Sequence, residues 1–243
     1  MKKNLIVIAL IISVLALTFE SCKNKKEEPE PTPQGHWYSP TPGENGTLPS
    51  SILPQSLMDS VTAYFSVYSG ENPPAFDDTL QFVSHPHVLL HSNNPNDTIT
   101  QYYDRYIAFF KRGDKIDFYG KQWDDEMDGY YEETRRGLYV LGTGEGFSCY
   151  YLTEAYPNGM YAKQSTIFSG KWNPSYGGLK DFQVAVILLE TSGNPNLAPA
   201  GSFRVLGDGN GLAQDTAWLT NSKDAEFNTF TVSDEDAFRM FRR

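Results

Sequence analysis

From Thr79 onward the chain is a succession of short runs in which apolar and polar residues alternate. Alternation with period two places successive side chains on opposite faces of a β-strand. Turn residues such as Gly113-Asp114 and Pro157-Asn158-Gly159 join the runs, and no helical spacer separates them. This pattern predicts an antiparallel meander rather than parallel strands joined by helices. The predicted strands are Thr79–Ser84, Val88–His91, Tyr103–Phe110, Lys115–Tyr119, Gly137–Leu141, Phe147–Ala155, Tyr161–Ser169, Phe182–Leu189, Ser202–Leu206 and Phe227–Val232.

A helix is predicted ahead of the strands, over Ser51–Ser69, because its apolar residues recur at steps of three and four. Gly70 stands where a C-terminal cap belongs, and Pro73-Pro74 prevents the helix from continuing. The same segment contains β-branched residues that would also suit a strand. A second, short helix is predicted over Ser233–Phe241, which begins with a capping box.

One helix followed by a long meander predicts an all-β fold, in which the strands close into a calycin/lipocalin-like barrel. Closure removes the exposed sheet edges, and we expect the helix to plug one end. An alternative is two duplicated small β-domains. It rests on the segment from Tyr68-Ser69-Gly70 to Asn94-Pro95-Asn96, which aligns with the segment from Phe168-Ser169-Gly170 to Asn194-Pro195-Asn196 at a constant offset of 100.

The N-terminus carries an export signal. Lys2 and Lys3 precede the apolar run Leu5–Phe19, which is too short for a comfortable transmembrane span. The run ends at Ser21-Cys22, and this junction resembles the signal of bacterial lipoproteins, although Phe19-Glu20 departs from the small or aliphatic residues usual there. The resemblance implies lipid attachment to Cys22 after removal of residues 1–21. Residues 22–35 are charged and proline-rich, which predicts a disordered tether ahead of a single domain over 36–243.

The net charge of the chain limits the classes of molecule that it can bind. The net charge is −10, and removal of two lysines and one glutamate with residues 1–21 makes it −11. Such an acidic protein does not bind nucleic acid or anionic lipid headgroups by charge. We therefore expect no nucleic-acid partner, and contact with a membrane only through the lipid anchor.

Catalytic signatures are few. Of the two cysteines, Cys149 has no basic neighbour in sequence, which indicates a buried small residue and not a nucleophile. The acidic segment Asp124–Glu133 lacks the spacing of a calcium loop, and we interpret it as a solvated, charged loop. Gly142-Thr143-Gly144-Glu145-Gly146 joins two predicted strands, so it offers no helix N-terminus to a phosphate. No Gly-x-Ser-x-Gly elbow is present either. The sequence therefore predicts a protein that is not an enzyme and has no cofactor.

Two residue patterns could bind something. His85, His87 and His91 are separated by even steps, so an uninterrupted strand would point all three the same way, toward one metal ion. Pro86 interrupts that strand, and exposed edge histidines are the simpler interpretation. Aromatic residues near strand ends could stack on sugar rings or wall a ligand pocket, or could instead fill the core. These candidate ligand-binding residues are Trp37, Trp123, Trp172, Tyr176 and Trp218.

Two longer segments, Tyr68–Pro74 and Phe203–Trp218, resemble an uncharacterised family of Bacteroidetes surface lipoproteins. The resemblance implies an outer-membrane, lipid-anchored location at the cell surface, and it brings no activity or binding residues. The favoured hypothesis is a non-enzymatic lipoprotein that binds a small or amphipathic ligand in an aromatic-lined barrel mouth. The alternative is a glycan-binding accessory lipoprotein that uses exposed Trp and Tyr.

Overall fold

The alternating runs fold into a closed barrel in this computed structural model, which describes residues 35–76, 79–125 and 128–218 together with Phe238 and Phe241. The predicted signal peptide, its Cys22 and the tether up to residue 34 lie outside the described residues. So do the predicted strand Phe227–Val232 and most of the predicted helix Ser233–Phe241. The strands are β1 (His36–Tyr38), β2 (Glu71–Asn72), β3 (Thr79–Ser84), β4 (His87–Ser92), β5 (Gln101–Tyr102), β6 (Arg105–Arg112), β7 (Lys115–Asp124), β8 (Gly129–Thr143), β9 (Gly146–Ala155), β10 (Ala162–Trp172), β11 (Gly178–Glu190), β12 (Phe203–Asp208) and β13 (Leu212–Asp215).

Eight strands form the closed ring, and each pairs antiparallel with its neighbours. The order around the ring is β3, β6, β7, β8, β9, β10, β11 and β13, and β13 pairs back to β3. The shorter strands extend the sheet from β11: β12 pairs with β11, β4 with β12, and β5 with β4. The predicted all-β, calycin/lipocalin-like meander barrel is confirmed.

The alternative of two duplicated domains is wrong, because the strands of both matching segments belong to one continuous sheet. A repeated turn explains part of the similarity. The Asn94 side chain accepts a hydrogen bond from the Asn96 amide at 3.2 Å, and the Asn194 side chain accepts one from the Asn196 amide at 3.0 Å. Asn side chains commonly stabilise turns in this way, so the two sequences converge on the same local chemistry.

The two ends of the barrel are distinguished by their connections. The lower end carries the tight turns β6–β7, β8–β9 and β10–β11, and the upper end carries the loops after β4, β7, β9 and β11. At the lower end Gly113 and Gly144 adopt positive φ angles of 61° and 65°, which glycine accepts without a steric penalty. The predicted turns at these two positions are confirmed.

The lower half of the barrel is filled with phenylalanine. Phe118 and Phe168 stack with ring centroids 4.4 Å apart, and Phe109 lies 5.7 Å from Phe118. All three are at most 1% exposed. Phe76, which precedes β3, meets Phe147 edge-on at 5.0 Å and adds to this packing. The same hydrophobic core also contains Phe82, Phe182, Leu80, Leu138, Leu179, Ile116 and Trp172.

The helix packs on the outside of the barrel instead of plugging an end. It is shorter than predicted: α1 spans Gln55–Thr62, and the described residues contain three 3₁₀ helices besides, at Glu44–Gly46, Pro157–Gly159 and Pro174–Tyr176. Val61 and Phe65 are buried against outward-facing side chains of β9 to β12, such as Leu152 and Ile187. The outer face of these strands is apolar and needs a cover, which an amphipathic helix supplies. Burial of each large apolar side chain here contributes about 1.5–3 kcal/mol.

Candidate functional site

The upper half of the barrel contains a cavity of about 590 Å³, within the range of ligand pockets in proteins. We call it the upper cavity. It reaches the surface beside the loop after β4 and the turn after β7, where Ile99 and Tyr103 are 58% and 50% exposed. The residues that line it are His87, Asn96, Asp97, Thr98, Ile99, Gln101, Tyr102, Tyr103, Arg105, Gln122, Trp123, Asp124, Asp125, Tyr131, Glu133, Tyr151, Gln164, Thr166, Val184, Val186, Arg204 and Leu206.

The cavity exists because the inward-facing side chains differ in size and polarity between the two ends of the strands. On β10 the inward side chains are Gln164 and Thr166 at the upper end and Phe168 below them. On β6 the inward side chain above Ile107 and Phe109 is Arg105. Small or polar side chains in the upper half leave space that bulky aromatic rings fill in the lower half.

An acidic side chain inside the barrel is held by two arginines and a tyrosine. Glu133 on β8 lies 3.0 Å from the Arg105 guanidinium and 3.4 Å from that of Arg135, and it accepts a short hydrogen bond from the Tyr151 hydroxyl. The side chains of Glu133 and Arg135 are each 5% exposed. Burial and the adjacent Glu133 charge raise the pKa of Tyr151 well above its ordinary value, so Tyr151 stays protonated and donates. This group forms one wall of the cavity.

A second ion pair joins the loop after β4 to the barrel wall. Arg204 on β12 binds both carboxylate oxygens of Asp97, with a distance of 2.6 Å from Nε to Oδ2. Ser92 and Asn94 also donate to Asp97. Burial acts to raise the pKa of Asp97, but the hydrogen bonds from Arg204, Ser92 and Asn94 outweigh it, so the pKa is lowered. A bidentate pair of this kind fixes the loop over the cavity.

The single histidine of the cavity is neutral. His87 is 1% exposed, its Nδ1 lies 3.1 Å from the Ser84 hydroxyl, and its ring meets Tyr102 edge-on at 6.3 Å. Burial, with the charge of Arg105 as a second cause, lowers the pKa of His87 to about 3. The imidazole therefore presents no positive charge to the cavity at physiological pH.

Aromatic side chains form the mouth of the cavity. The Trp123 indole donates to Asp125 at 3.0 Å, and the Tyr103 hydroxyl donates to the same carboxylate at 2.9 Å. Tyr102 and Tyr131 line the cavity beside them. Because one carboxylate holds both ring systems, these flat surfaces have fixed orientations at the entrance.

Two side chains of the cavity wall are buried without a hydrogen-bond partner among the described residues. The atoms are Gln164 Oε1 and Thr166 Oγ1, and both residues are 3% exposed. Across the cavity Arg105 Nε also has no acceptor in the described part of the chain. Buried polar groups in proteins are nearly always paired, so these three atoms are available to whatever occupies the space.

Of the five aromatic residues predicted to bind a ligand, only Trp123 lines the upper cavity. Trp172 is 5% exposed and packs on Phe82 in the lower core, so it is structural. Trp37 lies on β1, opposite Thr153 of β9, and packs against Tyr151 and Arg135 at the edge of the core. Tyr176 sits in the β10–β11 turn at the lower end and donates to Glu145. These three residues do not line the upper cavity, and sequence alone does not show which face of a strand a residue joins.

Trp218 belongs to a separate aromatic cluster on the outer face of β6 to β8. Its ring lies 5.5 Å from those of Tyr106 and Tyr119. The Lys121 ammonium lies 5.0 Å from the Trp218 ring and 4.9 Å from that of Tyr130, which is 47% exposed. We call these five residues the outer aromatic patch.

The predicted histidine metal site is not formed. His87 is buried in the cavity, His85 is exposed and lies 2.5 Å from Asp104, and His91 stacks on Tyr64 at 3.5 Å beside the helix. The even spacing fails because the strand breaks at His85-Pro86, and because a register shift opposite His91 reverses the alternation. Among the described residues no group of three or more His, Cys, Asp or Glu is arranged to hold a metal ion.

The acidic segment was also misinterpreted in part. Glu133 is not in a solvated loop but inside the barrel, since β8 begins at Gly129. The sequence analysis missed Arg105, Gln164, Thr166 and Arg204 as well. One signal could have found Gln164 and Thr166: they are polar residues at the same alternating positions as Phe168 in a predicted strand.

The fold and the site define an eight-stranded antiparallel barrel with a filled lower half and an open, polar upper cavity. A scan of protein-family models and searches of curated proteins and of solved structures found no match to this chain. In the part of the chain that the structure describes, no helix has the length and apolarity needed to cross a membrane.

Proposed function

We propose that this protein is a non-enzymatic binding protein that holds a small polar molecule in the upper cavity of its barrel. The observation that carries the proposal is the cavity itself, whose wall includes the buried Gln164 and Thr166, each with a side-chain oxygen that has no partner among the described residues. A barrel that needed only stability would fill this half as it fills the lower half, because unpaired buried polar atoms reduce the free energy of unfolding.

The proposal includes attachment of the protein to the outer membrane through lipid on Cys22, with the barrel exposed at the cell surface. Its support is the signal that ends at Ser21-Cys22. Metabolic labelling with a palmitate analogue should mark the wild-type chain and not a Cys22→Ala variant, which should also leave the membrane fraction. Equal labelling of both chains would contradict the anchor.

Binding in the cavity is testable without knowing the ligand. A library of small polar metabolites is screened for its effect on the melting temperature of the wild type and of Val186→Phe, which places a ring in the upper cavity. A ligand present at 100 times its Kd stabilises the folded state by about 2.7 kcal/mol, equivalent to a rise of about 5–10 °C. We expect this rise in the wild type and its loss in Val186→Phe.

The matched control is Val83→Phe, which adds the same ring outside the cavity and should keep the response. Circular dichroism establishes that both variants fold. If no compound produces a shift that depends on Val186, the cavity is not a binding site.

The second candidate function is glycan binding on the outer aromatic patch. The supporting observation is the set of partly exposed rings of Tyr106, Tyr119, Tyr130 and Trp218 around one lysine. Affinity electrophoresis through polysaccharide gels distinguishes the two candidates. Trp218→Ala should abolish retardation if the patch binds glycan, whereas Val186→Phe, inside the cavity, should leave it unchanged.

A further inference from the structure

The upper cavity also indicates which class of molecule it takes, an inference that rests on the proposed function. Its buried charged side chains are neutralised in pairs, and two further carboxylates lie at its mouth. Arg105 is paired with Glu133, and Arg204 binds Asp97 through two hydrogen bonds. Asp125 accepts from Tyr103 and Trp123, and Asp124 is also engaged with a neighbouring group.

A charged ligand would therefore have to break one of these pairs. An anion would compete with Glu133 or Asp97 for an arginine, and a cation would compete with an arginine for a carboxylate. Removing one partner from a buried pair is costly, because the other charge is left without compensation. The arrangement of charges inside the barrel thus selects against ions of either sign, whereas Asp124 and Asp125 make the mouth acidic.

What the cavity wall contains besides these pairs is three hydrogen-bonding atoms without a partner among the described residues, on opposite walls. Gln164 Oε1 can only accept, Arg105 Nε can only donate, and the Thr166 hydroxyl can do both. Gln164 and Thr166 lie two residues apart on β10, so they present adjacent groups on one wall. A molecule that carries several hydroxyl groups meets all three requirements, since each hydroxyl both donates and accepts.

The mouth adds flat aromatic surfaces. Tyr102, Tyr103, Trp123 and Tyr131 lie next to the hydrogen-bonding wall, and Asp125 fixes two of them. Flat rings pack well against the C–H face of a saturated ring whose edge carries hydroxyl groups. A cavity of about 590 Å³ accommodates one or two such rings.

We propose that the upper cavity binds a neutral, hydroxyl-rich ring compound, a mono- or disaccharide, with Gln164, Thr166 and Arg105 hydrogen-bonded to its hydroxyl groups and Trp123 against its ring face. This pocket site is distinct from the outer aromatic patch, because the two share no residue. It binds a short sugar or chain end in a cavity and not a polysaccharide chain along a surface.

Saturation-transfer NMR tests this ligand class. The full-length chain, purified in a detergent without a sugar headgroup, is mixed with neutral sugars (glucose, galactose, N-acetylglucosamine, maltose and lactose) and separately with glucuronate and glucosamine. We expect signal transfer to at least one neutral sugar, and weaker or no transfer to the charged ones. Gln164→Leu and Thr166→Val should each weaken binding about tenfold, the equivalent of one lost hydrogen bond at about 1.4 kcal/mol.

The matched control is Ser165→Ala. Ser165 lies between the two binding residues on the same strand, and its hydroxyl is also buried without a partner among the described residues, but it faces out of the cavity. Its removal should leave sugar binding unchanged.

Three outcomes would overturn the inference: no transfer to any neutral sugar, stronger transfer to a charged one, or binding that persists in both β10 variants. The melting-temperature screen with Val186→Phe separates this failure from failure of the proposed function. A response to other compounds that depends on Val186 would keep the cavity as a binding site and reject only the sugar class.

Discussion

The two halves of the barrel share most of their strands, yet they bury different kinds of side chain. Below, Phe109, Phe118 and Phe168 pack ring against ring with at most 1% exposure. Above, Arg105 and Gln164 occupy the equivalent inward positions and border a cavity of about 590 Å³. The strand pairing differs too: in the lower half β9 pairs with β8 and β11 with β13, whereas in the upper half β9 pairs with β1 and β11 with β12. We infer that the lower half supplies most of the stability and that the upper half gives up some of it for binding.

The largest expected effect comes from removing a ring in the lower half. Phe118→Ala should reduce the free energy of unfolding by about 3–5 kcal/mol, because it leaves a void among rings that cannot collapse. Leu206→Ala in the cavity wall is the comparison: its side chain already borders open space, so the cost should stay near 2 kcal/mol. Urea unfolding followed by circular dichroism measures both. Equal losses would mean that the two halves are packed alike.

The buried ion pair should give the next largest effect. Glu133→Gln keeps the shape of the side chain but leaves Arg105 and Arg135 without the carboxylate, and should cost about 3 kcal/mol. Asp181→Asn is the control, since it breaks a pair with Lys171 whose side chains are 38% and 43% exposed. Such exposed pairs contribute about 0–1 kcal/mol. A loss below 1 kcal/mol for Glu133→Gln would mean that the upper half does not depend on its charges.

A third prediction concerns the stability of the protein at acidic pH. The pKa of His87 is lowered to about 3 in the folded state, whereas the unfolded imidazole titrates near 6.5. The unfolded chain therefore binds one more proton between these values, and stability falls as the pH decreases from about 6.5 toward 3, by up to about 1.4 kcal/mol per pH unit. His87→Gln removes this contribution. Unfolding curves at several pH values should show a shallower slope in the variant; parallel slopes would place His87 in contact with solvent.

The strands and turns of this barrel were easier to predict from the sequence than the packing of its side chains and its helix. Alternation from Thr79 onward and glycine turns such as Gly113 and Gly144 were enough for the meander, because both depend on local geometry. Closure into one ring was also predictable, since a meander of this length must cover its edges. The position of the helix was not, because the apolar outer face of β9 to β12 becomes visible only when the register is known.

The candidate site was less predictable for a related reason. The upper cavity is assembled from residues far apart in the chain, such as Arg105, Gln164 and Arg204, and none of them stands in a recognisable motif. Trp123 was predicted because an aromatic residue near a strand end can contact a ligand. The one sequence signal for Gln164 is that it is a polar residue on the same face of its strand as Phe168.

The smallest expected effect tests why the upper half keeps a buried hydroxyl that has no partner among the described residues. Thr166→Val removes a buried hydroxyl that has no partner among the described residues and replaces it with a methyl group of similar size. Because the unpaired group costs free energy in the folded state, the variant should be more stable by about 0.5–1 kcal/mol. Ser148→Ala is the opposite case: its hydroxyl accepts from the Tyr68 amide at 2.9 Å, so its loss should destabilise the protein by about 1 kcal/mol. Thermal and urea unfolding measure the change in stability of the two variants. A stabilised Thr166→Val that binds sugar more weakly would show a hydroxyl retained for binding at the expense of stability, whereas a destabilised one would assign it a structural hydrogen bond.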